Sequence, residues 1–134
     1  MGPQTNFVRS KPMLVLAFLM IQPLLAQETI TPLLSKDMAE FPNKEVLMYT
    51  VDFPPGFSSP VHRHNAHVSV YVLEGSVVMQ VRGGNEITLK PGQSFSEDPN
   101  DIHVVSRNAS STKPAKFLVF LIKNKGAPLA VSAN

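Results

Sequence analysis

The sequence predicts a small all-β domain, and three observations support this prediction. Short runs rich in β-branched and aromatic residues follow one another between residues 46 and 122, and turn signals separate them. The 134-residue chain contains twelve prolines and seven glycines, which favours many turns over a bundle of helices. No amphipathic helix of convincing length can be read from the sequence after residue 26. Together these features predict one β-sandwich or barrel, because a chain of this length has room for a single domain.

The first 26 residues predict a secretory signal peptide. Arg9 and Lys11 supply a positive region, residues 13–21 form a continuous apolar run, and the segment ends with a small residue at Ala26. An uncleaved membrane anchor is the alternative, but the apolar run, even when it is extended to Leu25, reaches only about 13 residues, whereas a spanning helix needs roughly 20. We therefore expect cleavage after Ala26 and a secreted or periplasmic protein that no longer contacts a membrane.

Composition excludes several classes of function. Residues 1–26 contain two basic residues and no acidic residue, so the remaining chain carries ten basic and ten acidic residues and has no net charge. Lys and Arg do not cluster with interleaved aromatic residues either, and nucleic acid is therefore not an expected partner. The chain also lacks cysteine, which excludes catalysis by a thiolate, cysteine-ligated zinc and iron–sulfur clusters. The core, and not disulfide bonds, has to stabilise the fold.

The elements predicted after residue 26 follow in order. Residues 27–45 are an N-terminal arm without a sustained period, and residues 123–134 are a polar C-terminal tail that we expect to be loose. Between them, the turn Glu74–Gly75 predicts a hairpin in which Gly75 has a positive φ, and Lys90–Gln93 predicts a further turn. The predicted strands lie at residues 46–53, 67–73, 76–81, 86–89, 94–96, 102–106 and 116–122.

The four histidines are the strongest indication of chemistry in the sequence. His62, His64 and His67 stand within six positions, and His103 follows in a later strand. If residues 61–65 are extended, the imidazoles of His62 and His64 point to the same face, with their Cα atoms about 7 Å apart. His103 could then supply a third ligand from another strand. Three imidazoles with open coordination positions suit a divalent transition metal, while solvated loop histidines are the simpler alternative.

The histidine segment resembles the first motif of the cupin family, which has the form G-x5-H-x-H-x3,4-E-x6-G. The fixed positions that match are Gly56, His62, His64 and Gly75. Val68 stands where the motif has its glutamate. In cupins that glutamate is usually a fourth metal ligand, so the ligand set of this chain is the main departure from the family pattern.

The second cupin motif, G-x5-P-x-G-x2-H-x3-N, is matched in part. Gly92 and His103 stand at the correct spacing, and Pro99 and Asn108 lie one residue later than the proline and asparagine of the motif. The resemblance covers residues 46–122 and implies a small single-domain cupin β-barrel, also called a double-stranded β-helix or jelly roll. A domain of this size often gains stability by pairing with a second copy, so we expect a homodimer.

The departure at Val68 leaves three interpretations of the metal site open. The site could use the three histidines of the two motifs alone, or it could have lost metal binding. It could also recruit a substitute ligand, for which the candidates are Glu97, His67 and Gln80.

Strand parity bears on two of these candidates. Strict alternation places His67 on the face opposite to His64, which favours a solvated loop histidine unless a bulge turns it. Glu97 follows Phe95 by two residues and shares its face, so it either points into the core or lies at the rim of the domain. A buried carboxylate would need a metal, a histidine or a cation as its partner.

The residues and the resemblance together lead to an expected function. Val68, Val70 and Val72 share parity with the histidines and, with Met79, predict an apolar cavity beside the metal. Some of Phe117, Val119 and Leu121 should complete its lining.

A three-histidine site resembles those of cupin oxygenases. We therefore expect a dioxygenase-type oxidoreductase that uses Fe, Mn, Ni, Cu or Zn on a small organic molecule. Glu97 is the candidate acid or base. An isomerase or lyase on the same scaffold, and a non-catalytic cupin that binds a small ligand or a metal, are the alternatives.

Overall fold

The computed structural model of the protein describes Gly2 and residues 26–134. The predicted signal peptide, residues 1–26, lies outside the described residues apart from Gly2 and Ala26. The described residues form ten β-strands and no helix. The strands are β1 (Thr29–Asp37), β2 (Lys44–Phe53), β3 (His62–Arg63), β4 (His67–Glu74), β5 (Val77–Val81), β6 (Ile87–Leu89), β7 (Ser94–Glu97), β8 (His103–Asn108), β9 (Ala115–Asn124) and β10 (Val131–Ser132). Accordingly, this part of the chain holds no helix that is long and apolar enough to cross a membrane.

Two five-stranded antiparallel sheets make up the fold. The first sheet has the strand order β1-β2-β9-β4-β7, and the second has the order β10-β3-β8-β5-β6. Strands that are far apart in sequence are neighbours in space, as β2 and β9 show by pairing over their full length. The predicted all-β jelly roll is confirmed, and the bounds of the seven predicted strands agree with the structure to within two residues.

The core lies between the two sheets and follows from alternation along the strands. On β4, buried Val68, Val70 and Val72 alternate with exposed residues. On β9, every second residue from Ala115 to Lys123 is buried. The buried side chains of neighbouring strands therefore meet in one apolar layer. Towards β3 and β8, this layer opens into a cavity.

Gly75 makes the predicted hairpin between β4 and β5 possible. Its φ of 67° lies in the left-handed region, which confirms the sequence prediction. A Cβ at this position would lie 2.4 Å from the backbone oxygen of Pro114. Any other residue would therefore combine an unfavourable backbone conformation with a clash.

Asn108, at the end of β8, links the end of β2 to the loop between β8 and β9. Its buried side-chain amide donates to three backbone carbonyls, those of Phe53 at 3.2 Å, Pro54 at 3.0 Å and Lys113 at 2.8 Å. Its Oδ1 accepts a hydrogen bond from the backbone N–H of Ser110 at 2.9 Å. Because one amide group has only two hydrogens, two of the three carbonyls share a hydrogen.

Both terminal segments are more ordered than the sequence indicates. Within the predicted N-terminal arm, β1 pairs with β2 although every residue of β1 is exposed. Because β1 has no buried face, the arm shows no hydrophobic period. The expectation of a loose C-terminal tail is wrong, because β10 pairs with β3.

Candidate metal centre and its cavity

The structure brings together the three histidines of the two motifs. His62 lies on β3 and is the direct cross-strand partner of His103 on β8. His64 lies just beyond the end of β3. One ring nitrogen from each of the three residues lies within 4.8 Å of the others, which is the arrangement that a shared metal ion requires.

The backbone fixes the orientation of two of these rings. Nδ1 of His62 lies 2.8 Å from the carbonyl oxygen of Pro60, and Nδ1 of His64 lies 2.6 Å from the carbonyl oxygen of Leu129. Because a carbonyl oxygen can only accept, each Nδ1 must carry the hydrogen. In the neutral imidazoles, Nε2 therefore has the free lone pair that a metal needs.

The two free nitrogens point towards each other. Nε2 of His62 lies 3.2 Å from Nε2 of His64. Burial, opposed in part by the hydrogen bond to Pro60, lowers the pKa of His62 below its usual 6.5. When both imidazoles are neutral, two lone pairs face each other, and that contact is unfavourable unless a cation lies between them. The donor set therefore fits a divalent metal ion.

Glu97, at the end of β7, completes the surroundings of His103. Its Oε1 lies 3.1 Å from Nδ1 of His103, and both side chains are 2 to 3% exposed. Burial opposes ionisation of this carboxyl group, but contact with His103 and the nearby His64 and His62 outweighs it and lowers the pKa of Glu97. The carboxylate is therefore ionised at neutral pH.

The contact between Glu97 and His103 is close but not aligned as a hydrogen bond. In residues 26–134, neither nitrogen of His103 and neither carboxylate oxygen of Glu97 has a hydrogen-bond partner. Buried polar atoms are seldom left in this state. A cation at Nε2 of His103 would give that nitrogen a partner and would leave Nδ1–H to donate to Glu97.

The other two substitute ligands lie away from the histidine cluster. His67 is exposed, and its Nδ1 lies 3.3 Å from the carboxylate of Asp98. The side-chain amide of Gln80 donates to the backbone oxygen of Gly84 at 2.9 Å. Neither residue lines the cavity described next. Glu97 is thus the one sequence-derived substitute that reaches the site, through its contact with His103.

The histidines open onto a cavity of about 340 Å³. The predicted residues that line it are Val68, Val70, Met79, Phe117 and Val119. Val72 and Leu121 are buried in the core but do not reach the cavity. A space of this size and apolar character suits a small organic molecule.

Sequence reasoning missed further parts of the lining. They include Tyr49 on β2, Glu28 just before β1, and residues 129–132 of the C-terminal segment. The alternation of Tyr49, Val51 and Phe53 along β2 would have placed Tyr49 inside, but Glu28 and the C-terminal residues reach the cavity through long-range packing.

Tyr49 and Glu28 add polar groups to the cavity. Burial, assisted by the carboxylates Glu97 and Glu28, raises the pKa of Tyr49 above its usual value of 10. The phenol therefore stays protonated and can donate a hydrogen bond. Burial also raises the pKa of Glu28, and the attraction of His64 opposes that shift.

The fold and the histidine cluster agree with the comparison to known families. The sequence profile of the cupin domain matches residues 49–121, which is more than half of the chain. The protein therefore belongs to the cupin family. No curated protein sequence matches the chain significantly.

Solved structures extend this result. An uncharacterised double-stranded β-helix protein from Klebsiella pneumoniae is 17% identical with a TM-score of 0.64, over 84% of this chain and 90% of that protein. An oxalate oxidase, solved with the substrate analogue glycolate, is 26% identical with a TM-score of 0.59, over 78% of this chain and 54% of that one.

The lyase DddQ from Ruegeria pomeroyi, which acts on DMSP, is 23% identical with a TM-score of 0.57 over 66% of this chain. This chain spans less than half of the length of that lyase. At these identities, the likenesses to the lyase and to the Klebsiella protein show the fold alone.

Proposed function

We propose that the protein is an exported, metal-dependent cupin oxygenase that acts on a small organic molecule. One observation carries the proposal: Nδ1 of both His62 and His64 is engaged by a backbone carbonyl, while the Nε2 atoms of the two rings converge. This arrangement prepares neutral imidazoles to bind a cation before the cation arrives.

Each residue of the site has a distinct task in this proposal. His62, His64 and His103 would hold the metal, which when bound would supply open positions for oxygen donors and activate them as a Lewis acid. Glu97 lies 3.1 Å from Nδ1 of His103, where its carboxylate can accept the hydrogen of Nδ1 once a cation occupies Nε2. Tyr49 offers a neutral hydrogen-bond donor to an oxygen atom of the substrate.

The cavity accounts for the class of substrate. Its mostly apolar walls strengthen the interactions of the few polar groups that face into it. The likeness to an oxalate oxidase, at 26% identity, supports oxidation as the class of reaction. Oxalate and glycolate, the two molecules associated with that oxidase, are therefore the first probes to use.

The first test is metal analysis. The purified protein is compared with a His62→Ala/His103→Ala variant and with His67→Ala, which removes an exposed histidine as the matched control. We expect roughly one transition metal per chain in the protein and in the control, and loss of the metal in the double variant. No metal after incubation with Fe(II), Mn, Ni, Cu and Zn would contradict the proposal.

The second test is dioxygen uptake by the metal-loaded protein with oxalate, glycolate and related small acids. Uptake that depends on the probe would support an oxygenase or oxidase. Turnover of a probe without dioxygen uptake would instead indicate an isomerase or lyase. Retention of metal and probe without turnover would indicate a binding protein.

A further inference from the structure

The C-terminal segment folds back across the histidine cluster. The backbone carbonyl of Leu129 accepts the hydrogen of Nδ1 of His64 at 2.6 Å. Two residues later, β10 pairs with β3, where Ser132 lies opposite His62. The backbone N–H of Ala133 then donates to the carbonyl of Val61 at 3.3 Å. The segment is thus attached on both sides of the cluster.

The packing of the segment shows a regular inner face. Ala127, Leu129, Val131 and Ala133 are partly buried, whereas the residues between them are exposed. Leu129 packs against the hydrophobic core, and residues 129–132 line the cavity without a break. An alternation of this kind is that of an extended strand with one side against the domain.

His64 has few other restraints on its direction. β3 ends at Arg63, so the backbone of His64 belongs to no strand. The next residue, Asn65, has a φ of 51°, which turns the chain away from the extended course. The hydrogen bond to Leu129 is therefore the contact that selects the Nδ1–H tautomer and aims Nε2 at His62.

We propose that residues 129–132 form a positioning strap, which fixes the ring of His64 through the carbonyl of Leu129 and so sets the affinity of the site for a divalent cation. The effect on cation affinity rests on the proposed metal function, whereas the tautomer of His64 is a property of the metal-free protein. A carbonyl partner behind a metal-binding histidine typically changes metal affinity by roughly 10- to 100-fold.

The binding test compares the purified protein with a variant that ends at Pro128. A chain that ends at Ala133 is the matched control, because it is also shortened but keeps residues 129–132 and the carbonyl of Leu129. Titration with Zn²⁺ or Co²⁺ should give affinity about 10- to 100-fold weaker for the chain that ends at Pro128 and nearly unchanged affinity for the chain that ends at Ala133. Equal affinity of the shortened and the complete chain would overturn the proposal.

A second measurement uses the complete, metal-free protein and needs no variant that could fail to fold. The ¹⁵N chemical shifts of the His64 ring should show the Nδ1–H tautomer, with a hydrogen that exchanges slowly with water. An Nε2–H tautomer, or rapid exchange of the Nδ1 hydrogen, would overturn the proposal that residues 129–132 fix the ring of His64. Slow hydrogen exchange at Nδ1 of His64 in a protein that binds no metal would support the positioning role of residues 129–132 and refute the metal function. The failure of one proposal is therefore distinguishable from the failure of the other.

Discussion

Val68 and Glu97 lie directly opposite each other on the neighbouring antiparallel strands β4 and β7. Both side chains are buried and, as cross-strand partners, they share one face of the sheet. Val68 occupies the position at which the first cupin motif has its glutamate. Glu97 thus brings a carboxylate to the site from the adjacent strand, and this carboxylate contacts His103.

Glu97→Gln should weaken metal binding by roughly 10- to 100-fold, because a neutral amide supports the imidazole of His103 less well than a carboxylate does. Glu74→Gln, at the exposed end of β4, is the matched control for the loss of one negative charge. Competition titration with a chromogenic chelator measures both affinities. If the two variants bind metal equally well, Glu97 has no part in the site.

Gly75→Ala should destabilise the fold far more than Gly56→Ala. Both glycines have a positive φ, of 67° and 73°, and for that conformation alone an alanine costs about 1–2 kcal/mol. Only at Gly75 would the added Cβ meet another atom, since nothing lies within 4 Å of a Cβ at Gly56. Urea unfolding measures the difference, and equal losses for the two variants would show that the clash with Pro114 is relieved by a small backbone shift.

Asn108→Ala should lower the free energy of unfolding by about 2 kcal/mol or more. The substitution leaves the buried carbonyls that the amide serves, and the backbone N–H of Ser110, without their partner, and each such loss typically costs about 1–3 kcal/mol. Asn85→Ala, at an exposed loop position, is the control and should have little effect. A loss below about 0.5 kcal/mol at Asn108 would mean that water replaces the amide.

The ion pair between Glu45 and the buried Lys123 should make stability depend on pH below neutrality. The hydrogen bond from Lys123, together with the backbone N–H of Gly126, lowers the pKa of Glu45 below its usual 4.5. The stabilisation is therefore fully present above 4.5 and is lost as the pH falls through the lower pKa of the folded protein.

Glu45→Gln removes this carboxylate, and urea midpoints between about pH 7 and pH 3 should report the change. The difference in urea midpoint between the protein and Glu45→Gln should be constant above about pH 5 and should become smaller at lower pH. Glu40→Gln, in an exposed turn, controls for the loss of a charge. A difference that grows as the pH falls has the wrong sign for this explanation.

The parts of the fold that burial determines were predictable from the sequence. Val68, Val70 and Val72 alternate with exposed residues. An apolar period of two predicts a strand with one buried face. The histidines His62 and His103 were predictable as partners because the motif spacing places them on separate strands of one site.

The parts that backbone atoms determine were not predictable. β1 is held by its hydrogen bonds to β2 and has no buried residue, so its side chains carry no period. Leu129 binds His64 through a carbonyl that every residue possesses, so no residue type marks its role. The contact between Glu97 on β7 and His103 on β8 joins the two sheets, and a single sequence does not contain how the two sheets are placed against each other.

The use of main-chain oxygens at Pro60 and Leu129 has a consequence for how the site can evolve. Exchanging the side chain of Leu129 leaves its carbonyl in place, so drift in residue type near the C-terminus is compatible with an intact histidine cluster. Inserting or deleting a single residue between Asn124 and Leu129 would shift which carbonyl faces His64 and would turn the inner face of the segment outwards. Lineages of this protein should therefore tolerate substitutions in this stretch while keeping its length constant.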